Sequence, residues 1–179
     1  MMRSMRVGLL ASLAVLGSHT VHAQDVSLPG NAASLREKHG DWTVSCAIQA
    51  QADGKKVKRC ALAQEQIDRE TRRRVLTMEL RAEGGGVKGT LVLPFGLSLD
   101  KGVAYQLDEG QPGAVQRFRT CLPVGCVIDV DFDARTVAPL KTGNTLKVKA
   151  TADGGQEMAF SVSLSGFPGA VGRVLALSK

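Results

Sequence analysis

From Trp42 onward the chain alternates apolar and polar residues with a period of two, the pattern of strands that bury one face. Leu76, Met78, Leu80 and Ala82 alternate with Thr77, Glu79 and Arg81. Cys126, Ile128, Val130 and Phe132 alternate with Val127, Asp129 and Asp131, and Leu146 and Val148 with Lys147 and Lys149. Met158, Phe160, Val162 and Leu164 do the same with Ala159, Ser161 and Ser163. Adding 42–48, 58–66, 88–93, 103–107 and 115–121 predicts about nine strands. Turn residues separate them: Asp53-Gly54, Gly84-Gly85-Gly86, Asp108-Glu109-Gly110, Pro123-Val124-Gly125 and Asp153-Gly154-Gly155, the residue types that tight reversals need. Two helices are expected. One spans 134–141 and stops at Gly143; the other spans 168–177, with Pro168 in its first turn and Ala170, Val171, Val174, Leu175 and Leu177 toward the core. Short strands with closely spaced turns predict an all-β, antiparallel sandwich or barrel. Residues 24–37 lack periodicity and contain Pro29-Gly30, so they read as a loosely ordered arm before one domain over 38–179.

The first 23 residues differ in kind. Arg3 and Arg6 precede an apolar run over 7–16, and Val21-His22-Ala23 offers a small-residue cleavage point before Gln24, the three parts of an export signal. The run is far shorter than the roughly 20 residues that cross a bilayer, and no later stretch is continuously apolar, so no transmembrane segment is expected in the mature chain. No cysteine follows the cleavage point to carry a lipid. The predicted location is the periplasm, the outer membrane or the cell surface. Cleavage would leave 156 residues, one domain's worth. It would remove two of the 23 basic residues and none of the 17 acidic ones, leaving a formal charge of +4. Such a balance serves solubility; where it marks a partner, it favours an anionic component of the envelope or a host cell over nucleic acid.

The four cysteines, Cys46, Cys60, Cys121 and Cys126, then carry geometry. Cys46 and Cys60 are equidistant from Asp53. A three-residue loop Ala52-Asp53-Gly54, with Gly54 left-handed, sets them opposite each other in a hairpin. Cys121 and Cys126 flank the four-residue loop Leu122-Pro123-Val124-Gly125 and can face each other likewise. Four cysteines permit three pairings; turn symmetry favours Cys46 with Cys60 and Cys121 with Cys126.

Catalytic chemistry is sparse. The cysteine gaps do not match the paired short spacings of zinc ribbons, and no two cysteines are separated by two residues at a helix start, as thiol oxidoreductases require. His39 is the only histidine left after cleavage, and no Gly-x-Ser-x-Gly elbow presents a serine. Gly84-Gly85-Gly86 lacks the following Lys-Ser or Lys-Thr of a phosphate loop, and Trp42 reads as core. No cofactor is expected. Asp129 and Asp131 share a strand face, which is the pattern of a solvated surface and also the one place where a hydrolase could use paired carboxylates with a metal or water. The densest basic stretch, Arg69-Glu70-Thr71-Arg72-Arg73-Arg74, falls between two strands.

Gly40-Asp41-Trp42-Thr43-Val44-Ser45-Cys46, Cys60 with Ala61 to Gln64 following, Cys121-Leu122-Pro123-Val124-Gly125-Cys126 and the closing Gly166-Phe167-Pro168-Gly169-Ala170 together resemble the invasion-associated locus B family of exported bacterial proteins. The resemblance covers nearly the whole mature chain. It implies an immunoglobulin-like β-sandwich with no known cofactor or catalytic residue, and a family role in host-cell invasion. No binding residue carries over, because the matching motifs are structural: the two cysteine pairs, Trp42 and Phe167. The reading is therefore an exported, non-enzymatic binding or structural protein of the envelope, acting in host contact or envelope maintenance. Its candidate contact residues are Arg69, Arg72, Arg73 and Arg74 with Leu122, Pro123, Val124 and Gly125. The alternatives are the hydrolase at Asp129 and Asp131, or a bridge that pairs a sheet edge with another protein.

Overall fold

Alternating strands joined by short turns pair with their sequence neighbours, and the chain does this four times in succession. The computed structural model describes residues 26–178; the expected export signal and its cleavage point lie outside them. Strands β1 (Ser34–His39), β2 (Trp42–Ala50), β3 (Lys56–Ile67), β4 (Arg74–Glu83) and β5 (Gly86–Leu93) form a meander. With β6 as Val103–Leu107, β7 as Phe118–Leu122 and β8 as Gly125–Phe132, the large sheet runs β1-β2-β3-β4-β5-β8-β7. β9 (Thr145–Thr151) and β10 (Glu157–Ser163) complete a small sheet in the order β10-β9-β6. Helix α1 (Ala134–Leu140) follows β8, and α2 (Phe167–Leu177) follows β10. The expected antiparallel sandwich, with two short helices and two disulfides, is present, its strands divided seven and three.

The core lies on one face of the large sheet. Trp42, Val44, Leu62, Met78, Leu80, Leu91, Ile128 and Val130 share that face through the strand registers, and all are buried. Val148 and Val162 of the small sheet and Phe167, Ala170, Val171 and Val174 of α2 join the same cluster. Their removal from water supplies the main driving force for the fold, at about 25 cal/mol per Å² of apolar surface. α2 packs across β1 to β4, while α1 contacts β5 and β8.

Buried polar groups fasten the α2 flank. The Gln64 side chain, 3% exposed, behaves like a strand residue: its amide nitrogen donates to the Ser163 carbonyl at 2.9 Å and its oxygen accepts from the Ser163 N–H at 3.0 Å. Trp42 Nε1 donates to the same carbonyl at 2.9 Å, and its ring lies 5.1 Å from that of Phe167. β10 is thereby bonded to β2 and β3 without belonging to their sheet.

Both disulfides form as the turn symmetry predicts. Cys46 and Cys60 are register partners with Cα atoms 4.1 Å apart, beneath a loop in which Gly54 has φ +80°. Cys121 and Cys126 are partners at 3.9 Å. Here the turn is tighter than expected. Leu122 pairs with Gly125, so only Pro123 and Val124 lie between, and Gly125 belongs to β8. A Cβ on Gly125 would sit 2.3 Å from the Leu93 carbonyl oxygen, which is why glycine occupies this close approach.

Four expectations change. The arm over 24–37 is ordered in its last part, since Ser34 to Glu37 belong to β1, paired with β2. Its inward residues include Glu37, which meets Arg173 of α2 through two hydrogen bonds of 2.8 and 2.7 Å, so the face is real but not apolar. The strand expected over 115–121 divides: Gln116 pairs with Val103 beside β6, and only from Phe118 does the chain join β8. Met158, expected inward, is 39% exposed at the start of the edge strand β10, and Val127, expected outward, is 2% exposed between its register partners Val92 and Thr120.

Candidate functional site

Strand directions decide which loops meet. Gln66 pairs with Leu76, Thr77 with Val92, Leu93 with Cys126 and Cys126 with Cys121, a nearly level row across β3, β4, β5, β8 and β7. The connections just beyond that row therefore emerge at one end of the large sheet: the β3–β4 loop over 68–73, the start of the β5–β6 connection at Pro94 and Phe95, and the Pro123-Val124 turn. The two candidate contact features, which begin 53 positions apart in the chain at Arg69 and Leu122, are thus brought to the same end.

The end is apolar at its tips. Phe95 is 60% exposed, Val124 55%, Ile67 53% and Leu122 45%, four of the seven large apolar side chains that stand exposed among the described residues. Basic groups stand beside them. Arg69, Arg72 and Arg73 are exposed, and none of them forms an ion pair among the described residues. Arg74 is different: it is committed to Glu65 at 2.7 Å. The loop has a definite shape, because Asp68 accepts from both the N–H and the hydroxyl of Thr71 at 2.7 Å. Those hydrogen bonds hold the Asp68 carboxyl below its usual value, the Thr71 backbone N–H contributing most. Arg72 has φ +57°, fixed by its N–H bonding to the Asp68 carbonyl.

Behind the tips, the outer face of the sheet carries a shallow trough of about 340 Å³. Small side chains make its floor, Thr43, Ser45, Ala63, Thr77 and Val92, and it runs from Arg36 on β1 to Val124. Sequence reasoning missed Phe95, Ile67 and Arg36 as parts of this surface. Phe95 was detectable, as an aromatic residue between Pro94 and Gly96 in a turn; Arg36 needed the unrecognised strand.

The paired carboxylates have a simpler setting. Asp129 pairs with Arg119 at 2.8 Å and Asp131 with Lys88 at 3.4 Å, both on the solvated outer face. No group of three or more metal-ligating side chains occurs among the described residues. His39 lies beside Glu37 at 3.4 Å, next to the ion pair with Arg173. Both oxygens of Glu37 in that cluster accept from Arg173, which clamps β1 to α2.

A family model for the invasion associated locus B protein matches residues 42–174. An invasion protein B homolog of Brucella abortus is 44% identical over 175 residues, spanning 97% of this chain and 96% of the relative. Invasion protein B of Bartonella bacilliformis is 34% identical over 157 residues, spanning 86% and 81%. The crystal structure of invasion associated protein B from Bartonella henselae superposes with a TM-score of 0.70 at 35% identity, over 80% of this chain and 96% of that one. The match spans both disulfide hairpins, the Trp42–Phe167 contact and most of α2, and on these grounds the chain belongs to the invasion associated locus B family.

Proposed function

We propose that this protein is an exported, non-enzymatic binding protein of the bacterial envelope that serves host contact or envelope maintenance. Its partner is an anionic component of the envelope or of a host-cell surface. The observation that carries the reading is the convergence of Phe95, Leu122, Val124 and Ile67 with Arg69, Arg72 and Arg73 at one end of the large sheet. Exposed apolar groups and unpaired cations sharing one end of a sheet are the composition of a surface that meets something else. Export, to the periplasm or beyond, is supported by the signal-like first 23 residues and by cysteines that are all in disulfides. The names of the relatives point to invasion.

The test is retention of the oxidised, exported protein on immobilised anionic lipids and acidic glycans from envelopes and host-cell membranes. An Arg69→Glu, Arg72→Glu, Arg73→Glu variant is expected to lose at least tenfold in retention, since each basic group near an anionic surface contributes about 1 kcal/mol. Retention unchanged in that variant, or in Phe95→Ser with Val124→Ser, would remove this end as the contact surface. Turnover of an ester, glycan or peptide that disappears in Asp129→Asn would overturn the non-enzymatic reading.

A further inference from the structure

Two sheets have four edges, and three of these are capped or broken. On β10, the outward groups of Ser163 are taken up by the Gln64 side chain, and the Ser161 carbonyl accepts from Gln66 Nε2. Beside β6, Gln116 and Val103 exchange hydrogen bonds of 2.7 and 2.9 Å, and the Gly113 N–H donates to the Tyr105 carbonyl at 2.8 Å. β7 has five residues, and its register breaks between Phe118 and Thr120. Caps, short strands and irregularities are common protections of a sheet edge. β1 lacks them: its six residues pair with β2 in unbroken register, from Ser34 with Ala47 to His39 with Trp42.

The register fixes which groups of β1 are open. In an antiparallel ladder the N–H and C=O of one residue point the same way, and the direction alternates along the strand. The Ala33 carbonyl accepts from the Ile48 N–H of β2 at 3.0 Å. It therefore faces β2, and Leu35, Glu37 and His39 face the same way. The two-residue turn Gly40-Asp41, closed by the pair His39 and Trp42, requires the same phase. Ser34, Arg36 and Lys38 then direct their N–H and C=O groups away from the sheet, where no strand lies beside them among the described residues. All three are exposed, and neither Arg36 nor Lys38 forms an ion pair among the described residues. The bonds from Glu37 to Arg173 hold the strand extended from its inner face, which lowers the cost of ordering it for a partner.

The two cations decide that partner. β1 laid fully antiparallel on a second β1 would set Arg36 opposite Arg36, and like charges directly opposite are destabilising, whereas opposite charges stabilise. We propose that β1 accepts an extended acidic segment of another protein as an eighth, antiparallel strand of the large sheet, with its carboxylates beside Arg36 and Lys38. Backbone bonds to Ser34, Arg36 and Lys38 supply affinity, and the alternate side chains supply selectivity. The proposal does not depend on what the loop end binds.

The test is a titration of the oxidised, exported protein with capped hexapeptides, followed by NMR. Val-Glu-Val-Glu-Val-Thr sets its glutamates opposite Lys38 and Arg36 and its threonine opposite Ser34. The controls are the same peptide with lysine for glutamate, and the acidic peptide N-methylated at both glutamates. The acidic peptide is expected to slow hydrogen exchange at the Ser34, Arg36 and Lys38 amides and to bind about tenfold more tightly than the lysine peptide, since two opposite-charge pairs replace two like-charge ones. The N-methylated peptide keeps the charges but loses the donors, so it should not bind. Arg36→Glu with Lys38→Glu, both at exposed positions, should reverse the order of the acidic and lysine peptides. No protection of those amides up to the solubility of the acidic peptide would overturn the proposal. So would equal binding of the N-methylated peptide, or an unchanged order of peptides in the double variant. Protection that appears without peptide as the protein is concentrated would put a second copy on the edge and overturn it likewise.

Discussion

The two flanks of the sandwich solve the same problem in opposite ways. On the α2 flank the space between the sheets is filled by Trp42 and Phe167, and the polar groups of Gln64 and Ser163 answer one another. On the α1 flank, Tyr105 has an unpartnered hydroxyl, beside a cavity of about 370 Å³. A domain of this size needs one closed flank for stability. It can leave the other open at the cost of a hydroxyl that nothing answers.

The largest effect expected from this contrast is the loss of the closed flank. Trp42→Ala should cost about 3–5 kcal/mol in urea denaturation, as large aromatic truncations in cores do. Tyr105→Phe should cost less than about 1 kcal/mol, because it removes a hydroxyl that has no partner to lose. A Tyr105→Phe penalty comparable to that of Trp42→Ala would break the comparison. Next come the staples, one on each flank. Replacing Cys46 and Cys60 with alanine opens a loop of 14 residues' separation and should cost about 3 kcal/mol in the chain-entropy relation. The pair Cys121 and Cys126, separated by five, should cost about 2 kcal/mol. Equal or reversed costs would mean that the second hairpin holds more of the fold than its length implies. The smallest effect is a pH dependence. The hydrogen bonds from Arg173 lower the Glu37 carboxyl from 4.5 to about 2, with His39 assisting and partial burial opposing. Its folded pKa lies below the unfolded one, so this contribution is complete above about pH 4.5 and fades as pH falls toward 2. Acid titration of Glu37→Gln should lack that part of the decline, and an unchanged acid limb would show that the clamp contributes nothing.

Much of the fold was legible because its signals are local. Alternation at Leu76 to Ala82 and at Cys126 to Phe132, glycines at the reversals after β2, β4 and β9 and cysteines symmetric about Asp53 all act within a hairpin. β1 escaped detection because Leu35 is the only aliphatic residue among its inward positions; Glu37 and His39 occupy the others, and what makes them inward is Arg173, more than 130 residues away. Gln64 was hidden for the same reason. A glutamine on an inward face looks like an error in the pattern until Ser163 is placed opposite it. The candidate residues of the loop end were legible one by one from charge and turn chemistry. Their convergence was not, since it follows from which strands pair. The cavity left no mark in the sequence, because it arises from a change of sheet at Arg117 that a continuous alternation conceals.

The bond from Trp42 to Ser163 joins residues 121 positions apart, and the clamp from Glu37 to Arg173 joins residues 136 apart. A chain that emerges amino terminus first can zip β1 to β5 as local hairpins, each requiring little loop closure. It cannot cover their apolar face until its last fifteen or so residues arrive. The helix at the carboxyl end therefore acts as a completion seal. A chain cut short before it would present Trp42, Val44 and Leu62 to the surrounding compartment as an open sheet, with the tendency to aggregate that such faces carry.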